Sequence, residues 1–491
     1  MILLVNGRSH EGKKAILPMS LLAVAATFDG KLPYEIIDGN HLDDPIATIS
    51  ERVEQTDAKI VAFTVMPGPQ TASSFELTIA LKQRFPHLIV VWGAYFPTMY
   101  PNATMSCPGV DYAVKGYVGH DLADWLESLL NGAPDLSLPG LVYRNPDSGE
   151  VIENPMAKLV DINTLPPFPY HAVDMEFYMR PTFLGTRTIS HHISLGCPFK
   201  CGFCGVVAMV NGKTSAESAD LGAAGVARLV EEYGANAIEF SDNNFFLGEA
   251  RTKAFCKAIA HHKIKWWAYG RADTLAKYSD ETWAAMAESG LHMIYIGAET
   301  GSDETLRMMN KGGKQTANGV VALVETMKRH GIVPELSFIV GNPPDPIKDM
   351  NATLDFILKI KQVNPLAEII LYSYTPVPQE GEMLEAAQAA GFEFPKDVKD
   401  WSSEHWQRIC QRRNGELPWI TPKVRRQLLN FRLVMDSAYP TNTDGNLKAW
   451  QKLALQAAGR WRLHTNFHAA PYDLRLLNRL IPFQRPETAG F

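Results

Sequence analysis

Long apolar runs are missing from this chain. No stretch of about 18 or more apolar residues occurs, so no helix is expected to span a bilayer, and Met1-Ile2-Leu3-Leu4-Val5 lacks the basic flank and long apolar core of a secretion signal. Cysteine is scarce too. Six in 491 residues, three of them clustered, cannot staple a secreted domain and point to a reducing, cytoplasmic compartment. There is no repeat at solenoid period and no low-complexity tract. The body of the chain is acidic, and neither a recognition-helix pattern nor an RNA-binding signature is present, so no nucleic-acid partner is expected. What is present is ordinary globular composition, 46% hydrophobic and 20% charged, enough for roughly three folded units by domain-size scaling.

Residues 1–131 alternate short apolar runs (1–5, 34–37, 60–64, 88–92, 112–114) with amphipathic stretches, which predicts a doubly wound parallel α/β sheet. Ligands of such sheets sit beyond the carboxyl ends of the strands, so the loops at 6–12, 66–70, 93–96 and 115–120 are the ones to watch. Residues 132–190 read as a linker with a small hairpin around Asn145-Pro146-Asp147-Ser148-Gly149, followed by the stiff stretch Pro166-Pro167-Phe168-Pro169. From 191 to 390, six further runs (193–195, 237–240, 264–269, 293–296, 336–340, 368–372) alternate with helical stretches, the pattern of a partial (β/α)6 barrel of TIM type. Residues 391–491 form a basic, tryptophan-rich region expected to be a helical cap. From Lys396 onward there are 16 Lys/Arg against 8 Asp/Glu, whereas the preceding residues hold 31 against 45.

The densest chemical signal is Gly196-Cys197-Pro198-Phe199-Lys200-Cys201-Gly202-Phe203-Cys204-Gly205. Three soft thiolates in one short loop can hold three corners of a [4Fe–4S] cube and leave the fourth iron open to a ligand. Zinc is the competing reading, with His191 or His192 as further donors, and a redox pair is another. This CxxxCxxC loop, with an aromatic before its last cysteine, resembles the signature of the radical S-adenosylmethionine (SAM) superfamily. The resemblance implies that Cys197, Cys201 and Cys204 ligate the cluster, that the open iron binds SAM, and that an external donor of flavodoxin or ferredoxin type supplies the electron that cleaves it. It also implies SAM contacts at Phe203, at Asp242 of Ser241-Asp242, at Arg271 of Gly270-Arg271-Ala272-Asp273 and at Glu299 of Gly297-Ala298-Glu299-Thr300. Arg271 suits a carboxylate because a guanidinium offers two parallel donors. Each of these polar residues has the alternative of capping a helix or bridging to a neighbour.

The N-terminal domain ahead of this core resembles the cobalamin-binding domain of the B12-dependent radical SAM class. The features are Val65-Met66-Pro67-Gly68, Trp92-Gly93-Ala94 and Lys115-Gly116-Tyr117-Val118-Gly119, which implies cobalamin contacts at Thr64, Met66, Gly68, Gly93 and Gly116. The Asp-x-His-x-x-Gly motif of histidine-ligating domains is absent, since the first loop reads Arg8-Ser9-His10-Glu11-Gly12, and His10 is expected to be a solvated loop residue. The resemblance implies an enzyme that cleaves SAM reductively and methylates an unactivated carbon with cobalamin. Alternatives are a non-methylating radical reaction, as in the anaerobic magnesium-protoporphyrin ester cyclase, and a cobalamin or iron–sulfur sensor. The expected substrate is a small hydrophobic molecule with anionic groups, such as a tetrapyrrole, a lipid or a natural-product intermediate. A monomer is expected, with a peripheral membrane contact through residues 474–483 as an alternative use of the tail.

Overall fold

In the computed structural model, which describes residues 1–9, 15–311, 315–410, 416–440, 447–465 and 467–480, the first sheet has seven strands in the order β2-β1-β3-β4-β5-β6-β7. They are β1 (Ile2–Asn6), β2 (Tyr34–Asp38), β3 (Ile60–Thr64), β4 (Ile89–Gly93), β5 (Tyr112–Val114), β6 (Leu141–Arg144) and β7 (Val151–Glu153). The first five are parallel, as the apolar runs predicted, and Ile2 to Val5 are buried on both faces, the composition that such sheets require. The hairpin expected in the linker is present, but it adds to this sheet, β6 pairing antiparallel with β5. In register, Asn6 pairs Thr64, Thr64 pairs Gly93 and Gly93 pairs Val114, so four strand ends lie in one row. Gly68, at φ +113°, takes a conformation that a side chain would resist and turns the chain into the helix Pro69–Arg84.

The second sheet is parallel, with the order β15-β14-β13-β12-β11-β8. Its strands are β8 (Thr188–His191), β11 (Ala237–Phe240), β12 (Lys265–Gly270), β13 (Leu291–Glu299), β14 (Val333–Val340) and β15 (Glu368–Ser373). Sequential order with two free edges makes it an open, partial barrel. One expected strand is displaced. The apolar run 193–195 was read as the first barrel strand, yet that position belongs to Thr188–His191, and β9 (Ser194–Gly196) leaves the sheet to pair antiparallel with β10 (Thr214–Ala216). The physical reason is local: the Ile193 amide donates to Asp242 at 3.1 Å instead of to a neighbouring strand, which turns the chain outward just before the cysteines.

The C-terminal region joins the two halves. Val398 and Trp401 are buried in the core of the first sheet, where the Trp401 and Tyr100 rings lie 4.3 Å apart. Leu417 and Trp419 pack with Met309 and Tyr374, and Phe431 and Met435 enter the barrel core. Three of the five tail tryptophans (Trp401, Trp406, Trp419) thus serve packing between elements, while Trp450 and Trp461 are exposed. No helix among the described residues is long and apolar enough to cross a membrane.

Candidate functional site

The cysteine loop hangs from the β9–β10 ribbon. Gly196 enters it at φ +72°, where a Cβ would come within 3.0 Å of Val210, and its amide donates to Asn243 Oδ1 at 3.2 Å. Two bonds tie the loop to a strap formed by residues 309–311: the Gly202 amide donates to the Met309 carbonyl at 2.9 Å, and Asn310 Nδ2 to the Lys200 carbonyl at 2.8 Å. All three cysteines are free thiols; Cys201 is buried, and Cys197 and Cys204 are half-buried. Burial pushes the Cys204 thiol up to about 11 and raises that of Cys197. Thiolates in such a place need an adjacent cation, which an iron cluster supplies when it binds. Part of the required positive potential is built in: Arg271 Nη1 donates to Cys201 Sγ at 3.2 Å, and its guanidinium lies 3.6 Å from the centre of the Phe199 ring.

The barrel strand ends carry a second layer of charge. Arg271 holds Asp273 through Nε at 3.0 Å and Nη2 at 2.9 Å and also donates to the Lys311 carbonyl at 2.7 Å. The two-pronged edge that the sequence offered to a ligand carboxylate is therefore engaged by Asp273. Glu299 sits at the bulge of β13 with φ +65°, an uncommon conformation for a residue with a side chain, and forms a buried ion pair with Lys311. Gly297 leaves room for that pair, because a Cβ there would press on the ends of both side chains and displace them. Asp242 is buried; Oδ1 accepts from the Ile193 amide and from Ser194 Oγ at 2.5 Å, while Oδ2 is buried with no partner. Burial pushes its carboxyl up to about 6 against the pull of those donors and of Arg251. Phe203 packs beside Met308 and Met309, with Lys311 Nζ 5.5 Å from its ring.

Between the two sheets lies a cavity of about 670 Å³. Thr64, Met66, Gly93 and Gly116 line one wall, and Ser194, Leu195 and Asn243 line the wall toward the cysteine loop. Gly68 is not among its lining residues; it turns the chain into the helix Pro69–Arg84, and a Cβ there would meet Cys410 at 3.3 Å. The walls are joined by an interdomain network in which Tyr117 donates to Asn243 Oδ1 at 3.0 Å and Asn243 Nδ2 to Tyr95 at 3.4 Å. Most of the lining is apolar, but Trp125 Nε1 and His191 Nε2, both lining residues, are buried without a hydrogen-bond partner. Such atoms are costly to leave without a partner.

One end of the cavity collects titratable groups. Tyr170 and His191 Nδ1 are 2.9 Å apart, and Arg228 lies over the Tyr170 ring at 5.1 Å. Burial lowers His191 to about 3 and His192 to about 4, so both are neutral near pH 7. Burial raises Glu217 to about 7, with help from nearby Asp242 and against Arg251. His191 is thus engaged by a tyrosine and not by the thiols, as a zinc site would require. Tyr95 lies in the loop 93–96 that the sequence marks, whereas Lys311 and Asn310 carry no such mark. The only available signal was the Asn310-Lys311-Gly312-Gly313-Lys314 run, whose last three residues, like His10, Arg412 and Arg413, lie outside the described residues.

Residues 192–357 match the family model for the radical SAM superfamily, and residues 13–124 match that for the B12 binding domain. An uncharacterised methyltransferase of Pyrococcus horikoshii is 27% identical over 347 residues, covering 70% of this chain and 73% of the relative. The anaerobic magnesium-protoporphyrin IX monomethyl ester cyclase of Synechocystis is 23% identical over 360 residues, covering 72% and 68%. In fold, the chain is similar to the radical SAM methyltransferase TsrM of Kitasatospora setae solved with tryptophan substrate and a SAM analogue. The TM-score is 0.68 at 16% identity, over 98% of both chains.

Proposed function

We propose that this chain, a member of the radical SAM superfamily that also carries a B12-binding domain, methylates a carbon of a small hydrophobic substrate bearing anionic groups. The observation that carries the reading is the shared cavity, which opens on the strand ends of the B12-type sheet on one side and on the ribbon leading to Cys197 on the other. When bound, the cluster supplies an electron to SAM, and cobalamin supplies a methyl carrier.

The residues present fit these groups. Cys197, Cys201 and Cys204 would hold the cluster, with Arg271 donating a hydrogen bond to the Cys201 sulfur. Glu299 and the unpartnered Oδ2 of Asp242 would receive the ammonium or ribose hydroxyls of SAM, and Phe203 would pack beside it. Cobalamin would lie over Thr64, Met66, Gly93 and Gly116, where the bare backbone of Gly93 leaves room for a broad ring, while Trp125 Nε1 and His191 Nε2 would meet its polar substituents. The apolar walls exclude water from a reaction that must protect a reactive carbon. The domain division 1–131, 132–190, 191–390 and 391–491 belongs to the same reading, with the hairpin of the second segment completing the first sheet. A ferredoxin- or flavodoxin-type donor completes the set of partners.

Similarity to the ester cyclase supports a second reading, radical oxidation without methyl transfer. Anaerobic turnover of the reconstituted protein with SAM, dithionite and cell extract separates them. Methylation gives a product heavier by one CH₂ unit together with 5′-deoxyadenosine and S-adenosylhomocysteine, whereas a product that has only lost hydrogen overturns methyl transfer. Absence of 5′-deoxyadenosine under every condition overturns both.

A further inference from the structure

The last helices present an apolar face that nothing among the described residues covers. On the helix Ala449–His464, Trp450, Leu453 and Trp461 are 62%, 65% and 45% exposed; on Tyr472–Leu480, Tyr472, Leu476 and Leu480 are 71%, 59% and 71% exposed. Each trio falls within an arc of about 80° on its helix at 3.6 residues per turn. The opposite faces are anchored, Leu455 and Leu474 being fully buried, so the exposed stripes are held outward by packing. The charge around them is nearly all of one sign. Residues 447–480 contain six Lys/Arg and a single acid, Asp473, whose carboxylate is bound by Arg462 at 2.6 Å. Arg475 and Arg479 interleave with Tyr472, Leu476 and Leu480. A cavity of about 410 Å³ beside them is lined by Arg425, Arg426, Leu429 and Arg475, and its one acid, Glu416, lies 3.1 Å from Arg408 and 3.7 Å from Arg425.

We propose that this face docks peripherally on an anionic lipid bilayer. Leucines would enter the acyl boundary, Trp450, Trp461 and Tyr472 would sit at headgroup level, and the arginines would meet lipid phosphates with their stems along apolar surface. Charge favours this occupant over a second copy of the chain, since a twofold contact would set Arg460, Arg475 and Arg479, the exposed basic residues nearest the stripes, against their own copies. The inference is independent of the reaction proposed above.

The full-length protein is sedimented with vesicles of phosphatidylcholine alone and with vesicles containing phosphatidylglycerol. Binding is expected on the anionic vesicles, with a blue shift of tryptophan emission, and it is expected to weaken as salt is raised. Arg475→Glu with Arg479→Glu lowers the partition constant about tenfold or more, and Leu476→Glu with Leu480→Glu removes binding, with circular dichroism and iron content unchanged. No partition onto phosphatidylglycerol vesicles overturns the proposal, as does equal binding of the charge-reversed variant. It is also overturned if the Leu476→Glu variant loses self-association while neither form binds vesicles, which would make the face a contact between copies.

Discussion

The two parallel sheets share a topology class but differ at their carboxyl edges. The row Asn6, Thr64, Gly93 and Val114 is neutral, its one acid, Asp38, standing at the outer strand and held by Asn6, and beyond the row lies a broad cavity. The barrel edge carries Asp242, Arg271 and Glu299, all buried, each already held by a donor, an acceptor or a counter-ion from another segment. A neutral, open edge suits a large ligand bound by shape and scattered hydrogen bonds. A preorganised charged edge suits a small zwitterion and thiolates, whose charges must be met by fixed partners in a dry site.

The comparison is broken if the two edges fail together. Cys204→Ala is expected to lose the cluster and all SAM cleavage while keeping cobalamin. Gly93→Leu, whose Cβ would meet only two carbonyls at 3.9 Å and would fill the cavity, is expected to lose cobalamin by more than about tenfold in Kd while keeping iron. Iron assay and cobalamin titration of both variants measure this; parallel loss of both groups in either variant would deny that the edges act separately.

A smaller effect sharpens the contrast in charge. Lys311→Met strands Glu299 as a buried carboxylate without its cation, and breaking such a pair costs about 3–5 kcal/mol. Chemical denaturation of the cofactor-free protein should show that loss, with partial recovery in the double variant Lys311→Met, Glu299→Gln. A change of under about 1 kcal/mol, the worth of a solvated pair, would show that water reaches the site.

The smallest effects are titrations at the polar end of the cavity, and they run in opposite directions. His191 and His192 have folded values near 3 and 4, below the ordinary 6.5. The unfolded chain therefore takes up protons first, and stability falls as pH drops from about 6.5 towards those values. His192→Gln should flatten that fall in Tm. Glu217 is raised to about 7 from 4.5, so the folded state loses stability as pH rises between those values. Glu217→Gln should raise Tm more at pH 8 than at pH 4.5. Equal shifts at both pH values would mean that the carboxyl is solvated.

Much of this was legible in the linear chain. Buried parallel strands need near-continuous apolar runs, so all five N-terminal strands and five of the six barrel strands lay within a few residues of the runs that marked them. The cysteine loop was legible because its chemistry is local, three thiols within eight residues. The sixth strand was misplaced because Thr188-Ile189-Ser190-His191 is polar at alternate positions and the stronger run beside it is diverted by Asp242, 49 residues away. Lys311 lies 40 residues from Arg271 and 12 from Glu299, and nothing in its own neighbourhood announces that its carbonyl and its ammonium serve two different strands. Gly68 and Gly93 look alike in sequence, yet one turns a helix and the other lines the cavity. Local composition and spacing alone determined ten of the eleven parallel strands and the cluster loop, because each depends on residues adjacent in the chain. Tertiary structure alone decided which charges pair, which glycines face a ligand and that two histidines stay neutral, because burial and Coulomb interaction act through space, between groups that only folding brings together.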